Sequence, residues 1–221
     1  RLKCQPTVRE AKGFSPAQLA PAHEIVISGG LGAIGCAYAC HMHDQTQGPL
    51  KLHLLGRSGR SFAFKAEELT HVCINKCDAG SSEELRPVGS REIDELLHAA
   101  GVLADMAIKN HSSVSIRRVV AAKVDSYYNM EHHFYGAKLV RVIQCSSIAA
   151  LAGSSGQSNY SAANACLDSI AVSNRQRGNS QSSIQWGAWA NTGMASARVL
   201  QKVDSMGLGV VTPEQGTMAL E

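Results

Sequence analysis

Residues 24–35 read EIVISGGLGAIG, a short apolar run ending in a glycine-rich turn, and small residues continue through 36–41. Strand, glycine turn and helix, in that order, is the setting that a dinucleotide fingerprint requires. Glycines let the backbone close on a pyrophosphate. A helix N-terminus then offers free N–H groups and the positive end of a dipole. Gly29, Gly30, Leu31, Gly32, Ala33, Ile34 and Gly35 are therefore the candidate contacts. A tight turn without a ligand is the alternative, but the flanking strand and helix both favour the nucleotide. The fold expected from such a start is α/β, an open, doubly wound parallel sheet.

The following runs fit that sheet. Residues 52–55 form a second strand that ends in Gly56-Arg57-Ser58-Gly59-Arg60. A site selective for NAD carries an acid about 20 residues past the glycines, where it holds the ribose 2′-hydroxyl. None occurs here before Glu67; Arg57 and Arg60 flank Ser58 instead, a donor set suited to a 2′-phosphate. The reading is NADPH rather than NADH. A third strand, 71–76, leads to Cys77 and Asp78, whose carboxylate can accept from an adenine amino group. A fourth, beginning at Glu95, runs into Ala99, Ala100 and Gly101, a turn small enough to pass close beside a cofactor.

The stretch 142–164, VIQCSSIAALAGSSGQSNYSAAN, begins as the strand 139–144 and enters a helix near Tyr160. Ser147 stands at the strand end, and Tyr160 and Asn164, four apart, share a helix face. Ligands of open parallel sheets lie beyond the carboxyl ends of the strands, so these three side chains are expected to polarise a carbonyl and deliver a proton. The helix 114–130 carries an apolar stripe of Ile116, Val119, Val120, Val124 and Tyr127, and Lys123 falls on it. A lysine facing a core requires a partner, or it snorkels to the rim. Periodicity leaves both open. A sixth strand, 183–186, leads to Trp186 and Trp189, expected as an aromatic wall and mobile flap over a bound ring, and residues 207–221 begin another helix.

Composition narrows the classes. The 221 residues are 44% hydrophobic with a net charge of +3, enough for one sizeable core and too scattered for nucleic acid. No run approaches the ~20 apolar residues of a membrane helix. No signal-peptide pattern opens the chain, so the expected compartment is the cytoplasm, with an organelle such as a plastid as the alternative. Seven cysteines include the pairs Cys36/Cys40 and Cys73/Cys77. Their C-x3-C spacing, one pair in a helix and one in a strand, suits apolar filler better than zinc, so no metal is expected. Sequons at Asn110 and Asn159 carry little weight without a secretory signal. Residues 1–21, polar with three prolines, read as a linker before a nucleotide-binding domain at 22–221, and an Arg start points to a piece of a longer chain.

Taken together, these motifs resemble the ketoreductase domain of modular or multifunctional polyketide synthases, a complex branch of the short-chain dehydrogenase/reductase superfamily; the fatty acid synthase ketoreductase is a close relative. The resemblance runs from about Glu24 to the C-terminus. It rests on SGGLGAIG (28–35), LLGRSGR (54–60), CDA (77–79), HAAGVLAD (98–105), AAKVD (121–125), the Ser pair to YSAAN (146–164), WGAWANTGMA (186–195) and TPEQG (212–216). Each is weak alone; their order is specific.

The resemblance implies a Rossmann-like fold and NADPH-dependent reduction of a β-ketoacyl thioester carried on an acyl carrier protein, beside other domains of a synthase. It makes Tyr160 the proton donor and Ser147 the hydroxyl that orients the keto oxygen. Most relatives place a lysine four after the tyrosine. Here Asn164 stands there and the lysine comes from the earlier helix as Lys123, an exchange this family shares. An ammonium beside the phenol is expected to lower its pKa from ~10. Arg57 matches the 2′-phosphate contact, with Ser58 beside it, and Asp78 the adenine contact. Asp105, Gln157, Trp186, Gly193 and Met194 are the substrate or stereocontrol candidates. Leu103-Ala104-Asp105 retains the last acid of the B-type motif, and Ala152 replaces the A-type tryptophan, so a D-hydroxyl product is expected. Segments 61–70 and 79–94 look shorter than the family's crossover helices, and the sheet is expected to be truncated at both ends, with residues 1–3 the last strand of an upstream subdomain. Rival readings are a stand-alone carbonyl reductase and a catalytically silent structural domain.

Overall fold

The structure, a computed structural model, describes residues 23–46, 48–59, 71–88, 93–134, 139–190 and 209–220. Six parallel strands form one sheet in the order β3-β2-β1-β4-β5-β6. They are β1 His23–Ser28, β2 Leu50–Gly56, β3 Val72–Lys76, β4 Glu95–His98, β5 Arg141–Ser147 and β6 Gln181–Trp186. The helices are α1 Ala33–Gln45, α2 Ser82–Leu85, α3 Ser113–Val120, α4 Ser126–His133, α5 Ala149–Ala152, α6 Ser158–Gln176 and α7 Pro213–Met218. The strand order reverses between β1 and β4, and such a switch point opens a crevice at the strands' carboxyl ends. This is the doubly wound, Rossmann-like sheet that the first glycine turn implied.

Alternation along the strands makes the two faces. Ile25, Ile27, Leu97 and Ile143 point to the side covered by α1 and the C-terminal segment, with Tyr38, Met42 and Leu220. Val26, Leu96 and Val142 point to the other, with Tyr127, Met130 and Phe134 beneath α4 and Leu167 of α6. Both faces of the inner strands β1, β4 and β5 are covered, as a parallel sheet requires, while the outer strands β3 and β6 carry exposed positions.

Some boundaries differ from the sequence reading. The fifth strand starts at Arg141 rather than 139 and continues through Ser147. The first helix begins at Ala33, so Ala33, Ile34 and Gly35 lie inside its first turn rather than ahead of it. The continuous helix expected over 114–130 is divided by a π turn, Ala121–Asp125. Val119 and Tyr127 of its stripe are buried, but Ile116 is 44% exposed. Cys36, Cys77 and Cys145 are buried, as fillers should be, whereas Cys73 and Cys166 are exposed: Cys73 faces outward from edge strand β3. Among the described residues no His/Cys/Asp/Glu group could hold a metal, and no helix is long and apolar enough to cross a membrane. The linker at 1–21 and the segment 61–70 lie outside the described residues. In the crossover at 79–94, the described helix is the single turn α2, capped by Ser81.

At the amino ends of β1, β4 and β5, away from the crevice, Glu95 is 3% exposed. Arg141 donates to Glu95 Oε2 from Nε (3.1 Å) and Nη2 (3.0 Å), and the Tyr38 hydroxyl donates to the other carboxylate oxygen. Removing the cation alone leaves a buried carboxylate without its counter-charge. Arg141→Met should therefore destabilise the fold by about 3–5 kcal/mol, read as a lower urea midpoint with little change in slope.

Candidate active site

The crevice is built from backbone first. After β1, Gly29 adopts φ +65°, and a Cβ there would lie 2.7 Å from Ala100 N. Only glycine lets the β1 and β4 turns pass so closely. A Cβ on Gly35 would come within 2.6 Å of Gly29 O and Gly30 Cα, so α1 can pack onto the turn only without one. Gly30 N donates to Leu55 O and Gly32 N to Gly29 O, which hold the turn in shape. Gly32 caps α1 without a side-chain hydrogen bond. The first-turn N–H groups therefore remain available to an anion.

A cleft of about 430 Å³ opens beside this turn. Gly29, Arg57, Cys77, Asp78, Ala100 and Gly101 all line it, as the motifs implied. Other expected contacts differ. The side chains of Leu31, Ile34 and Ala99 are partly buried against the hydrophobic core and do not line the cleft. Ser58 is exposed and does not line the cleft. Asp78 Oδ1 accepts from Gly80 N at 2.9 Å, which leaves its second oxygen for a ligand. The sequence reading passed over Arg118, Ala121 and Ala122, which also line the cleft. Their i, i+3, i+4 spacing, one helix face, was the available signal. The uncapped helix, the glycine cradle and the two guanidinium groups fit a phosphorylated dinucleotide.

Beyond the cleft, the four expected polar residues come together. Ser147 ends β5 and accepts from Ala149 N at 3.2 Å. Tyr160 stands in the first turn of α6, where its N–H donates to Asn159 Oδ1. Asn164, fully buried, donates from Nδ2 to Tyr160 O at 2.8 Å. Its Oδ1 is buried without a partner, an acceptor open to a water or to a ligand. Lys123, 2% exposed, does not snorkel. Its Nζ donates to Cys145 O at 2.7 Å and stands 5.8 Å from the centre of the Tyr160 ring.

The charges correct one expectation. Burial comes first at Tyr160 and raises its pKa; the Asn164 and Ser147 side chains pull it down without prevailing. The Lys123 ammonium donates a hydrogen bond to a carbonyl and stands over the ring, so the net shift at the phenol is upward, not toward neutrality. Burial pushes Lys123 itself down to about 8, with Cys145 and Asp168 opposing.

Ahead of Tyr160 in the chain, Gln157 Nε2 donates to Asp105 Oδ2 at 2.9 Å. Met106 N donates to Gly156 O, and Asn159 Nδ2 to Ala104 O. Residues 104–106 are thus strapped to the loop ahead of Tyr160. The buried, occupied side chain of Asn159 also explains why its sequon cannot be used in the folded protein. Trp186 is a correction. It is 8% exposed, sits in the core, and meets Trp189 edge-on at 5.1 Å between ring centres. Gly216 of α7 packs directly beneath Trp189, so the two indoles support the sheet rather than wall a ligand. Gly193 and Met194, with the flap expected there, lie outside the described residues, as does Arg60.

The profile of the KR domain matches residues 24–191. The chain belongs to the KR domain family. The phenolphthiocerol synthesis polyketide synthase type I Pks15/1 of Mycobacterium marinum is 35% identical over 214 residues, 89% of this chain and 10% of that protein. The pikromycin polyketide synthase component PikAII of Streptomyces venezuelae is 32% identical over 192 residues, 80% of this chain and 5% of that protein. Among solved structures, an A-type ketoreductase from a modular polyketide synthase matches with a TM-score of 0.81 at 29% identity, covering 91% of this chain and 45% of that one. The ketoreductase from the first module of phoslactomycin biosynthesis in Streptomyces sp. HK803 matches with a TM-score of 0.79 at 27% identity, covering 91% and 49%. This KR domain thus spans a tenth or less of the two synthases and under half of the two solved chains. A Brucella melitensis short-chain dehydrogenase/reductase, at 18% identity and a TM-score of 0.75, shares the fold.

The glycine turn of this KR domain permits a direct test. Gly29→Ala places a Cβ against Ala100 in a left-handed conformation worth about 1–3 kcal/mol of strain. Fluorescence titration should show binding of a nicotinamide dinucleotide weakened by about tenfold or more.

Proposed function

We propose that this KR domain reduces a β-ketoacyl thioester, presented on an acyl carrier protein, to the β-hydroxyacyl thioester with NADPH, within a multifunctional polyketide synthase. The observation that carries the reading is Lys123: a buried ammonium from one helix over the ring of Tyr160 from another, with Asn164 in the position where a lysine would otherwise follow the tyrosine.

NADPH supplies a hydride when bound. Gly29–Gly35 and the open turn of α1 hold the pyrophosphate, Arg57 the 2′-phosphate, and Asp78 the adenine edge. Arg118 adds a second guanidinium in the same cleft. Ser147 and Tyr160 hold the β-keto oxygen, and Tyr160 delivers the proton as the carbonyl carbon becomes a carbinol. Its upward-shifted pKa keeps the phenol protonated, the state a donor needs. Lys123 offsets the negative charge left on the phenolate. Asn164 Oδ1, unpartnered, is free to bind a water through which a proton returns.

The hand of the product follows from residues, since the fold is shared with A-type ketoreductases. Asp105, held by Gln157, and the exposed Ala152 in place of a tryptophan both favour the B-type, D-configured hydroxyl. The named relatives are polyketide synthases, which supports that setting over fatty acid synthesis.

The test is NADPH oxidation with a β-ketoacyl thioester, followed by chiral analysis. Tyr160→Phe should lower turnover by at least ~10²–10³ while NADPH still binds; undiminished turnover in that variant overturns the assignment, and an L product overturns the B-type reading. NADPH binding without turnover in the parent protein would favour a silent structural domain. Because the Lys123 pKa is lowered to about 8, the ammonium is present below that pH and lost above it. Turnover should therefore fall as pH rises through about 8, measured as kcat against pH.

A further inference from the structure

His98 is fully buried at the end of β4, and the mechanism above does not use it. Its Nε2 stands 2.8 Å from Lys123 O. A carbonyl can only accept, so Nε2 carries the proton and Nδ1 is the acceptor. The Ser28 hydroxyl, 2.6 Å from Nδ1, then donates to it. Ser28 is the residue immediately before Gly29. One imidazole thus joins the start of the phosphate turn to the residue that carries the buried ammonium.

The π turn makes this contact informative. Two of its carbonyls accept from side chains: Ala122 O from Ser126 Oγ at 2.8 Å, and Lys123 O from His98. Ser126 Oγ also lies 3.4 Å from His98 Nε2, which closes a small buried polar cluster. Lys123 is therefore gripped twice, by its carbonyl from β4 and by its Nζ from Cys145 O of the adjacent strand β5. π turns inside α-helices occur often at functional sites. The imidazole is held neutral because burial, and then Lys123, drive its pKa down to about 3.

We infer that His98 is a positioning residue, which fixes the π turn through the Lys123 carbonyl and so sets where the Lys123 ammonium stands over Tyr160, linking that setting to the phosphate turn through Ser28. The inference rests on the relay reading of Lys123.

Two polar substitutions separate this role from general packing. A glutamine amide reaches about as far as Nε2 and can donate to Lys123 O; an asparagine amide reaches only as far as Nδ1. H98Q should keep kcat close to that of the parent protein, whereas H98N should lower it by about 10²-fold through misplacement of the lysine, with the KM for NADPH changed much less. Equal kcat in H98Q and H98N, whether both retained or both lost, overturns the inference. K123M is measured alongside: retained turnover there sinks the relay reading and this inference with it, while lost turnover with no H98Q/H98N difference sinks this inference alone. A further measurement needs no variant. The ¹⁵N–¹H spectrum of the unsubstituted protein should show His98 neutral and protonated on Nε2; an Nδ1–H tautomer overturns the proposal even if both variants fail to fold.

Discussion

An ammonium group removed from water loses several kcal/mol of hydration unless polar partners replace it. At Lys123 two elements supply the replacement, and a third holds the residue's backbone. Cys145 O of β5 accepts from Nζ, the face of the Tyr160 ring lies below it, and His98 of β4 holds its carbonyl. None of these partners is close to Lys123 in the chain. The position is tolerable only when the sheet is complete, so the buried cation is also a condition on the fold.

The same constraint orders the surroundings. β1, β4 and β5 are neighbours, and their carboxyl ends carry Ser28 with the glycine turn, His98 with the small-residue turn, and Ser147. Parallel pairing brings these ends to one edge, which is also where the strand order reverses and the crevice opens. The charged cluster of Glu95, Arg141 and Tyr38 sits at the opposite ends of the same three-strand unit and fixes it from below. Stability and chemistry are thus divided between the two edges of one sheet.

Burial then sets the protonation states. It raises Tyr160, which keeps its phenol protonated, and lowers Lys123 to about 8, which makes the cation's persistence depend on pH near that value. The expectation that a nearby ammonium alone would acidify the phenol failed because Lys123 directs its hydrogen bond to a carbonyl and lies over the ring. Proximity did not specify direction.

Much of the fold and site was legible in the chain. The glycine turn after an apolar run implied a parallel α/β sheet, because strained backbone and uncapped helix N–H groups are local properties. The Arg57 loop without an acid, the four-residue spacing of Tyr160 and Asn164, and a lysine on an apolar stripe are local signals too, and all were readable. Whether Lys123 turned inward could not be read, since helical periodicity assigns a face but not a partner. Only the folded sheet decided that, through Cys145 and His98, and only it introduced the π turn that breaks the periodicity at that residue. Trp186 and Trp189 looked like a ligand wall because aromatics beside glycines suit one. Their place in the core depends on α7, some 25 residues further along the chain. Local chemistry declares itself in sequence; a buried charge or ring takes its role from whatever distant surface covers it.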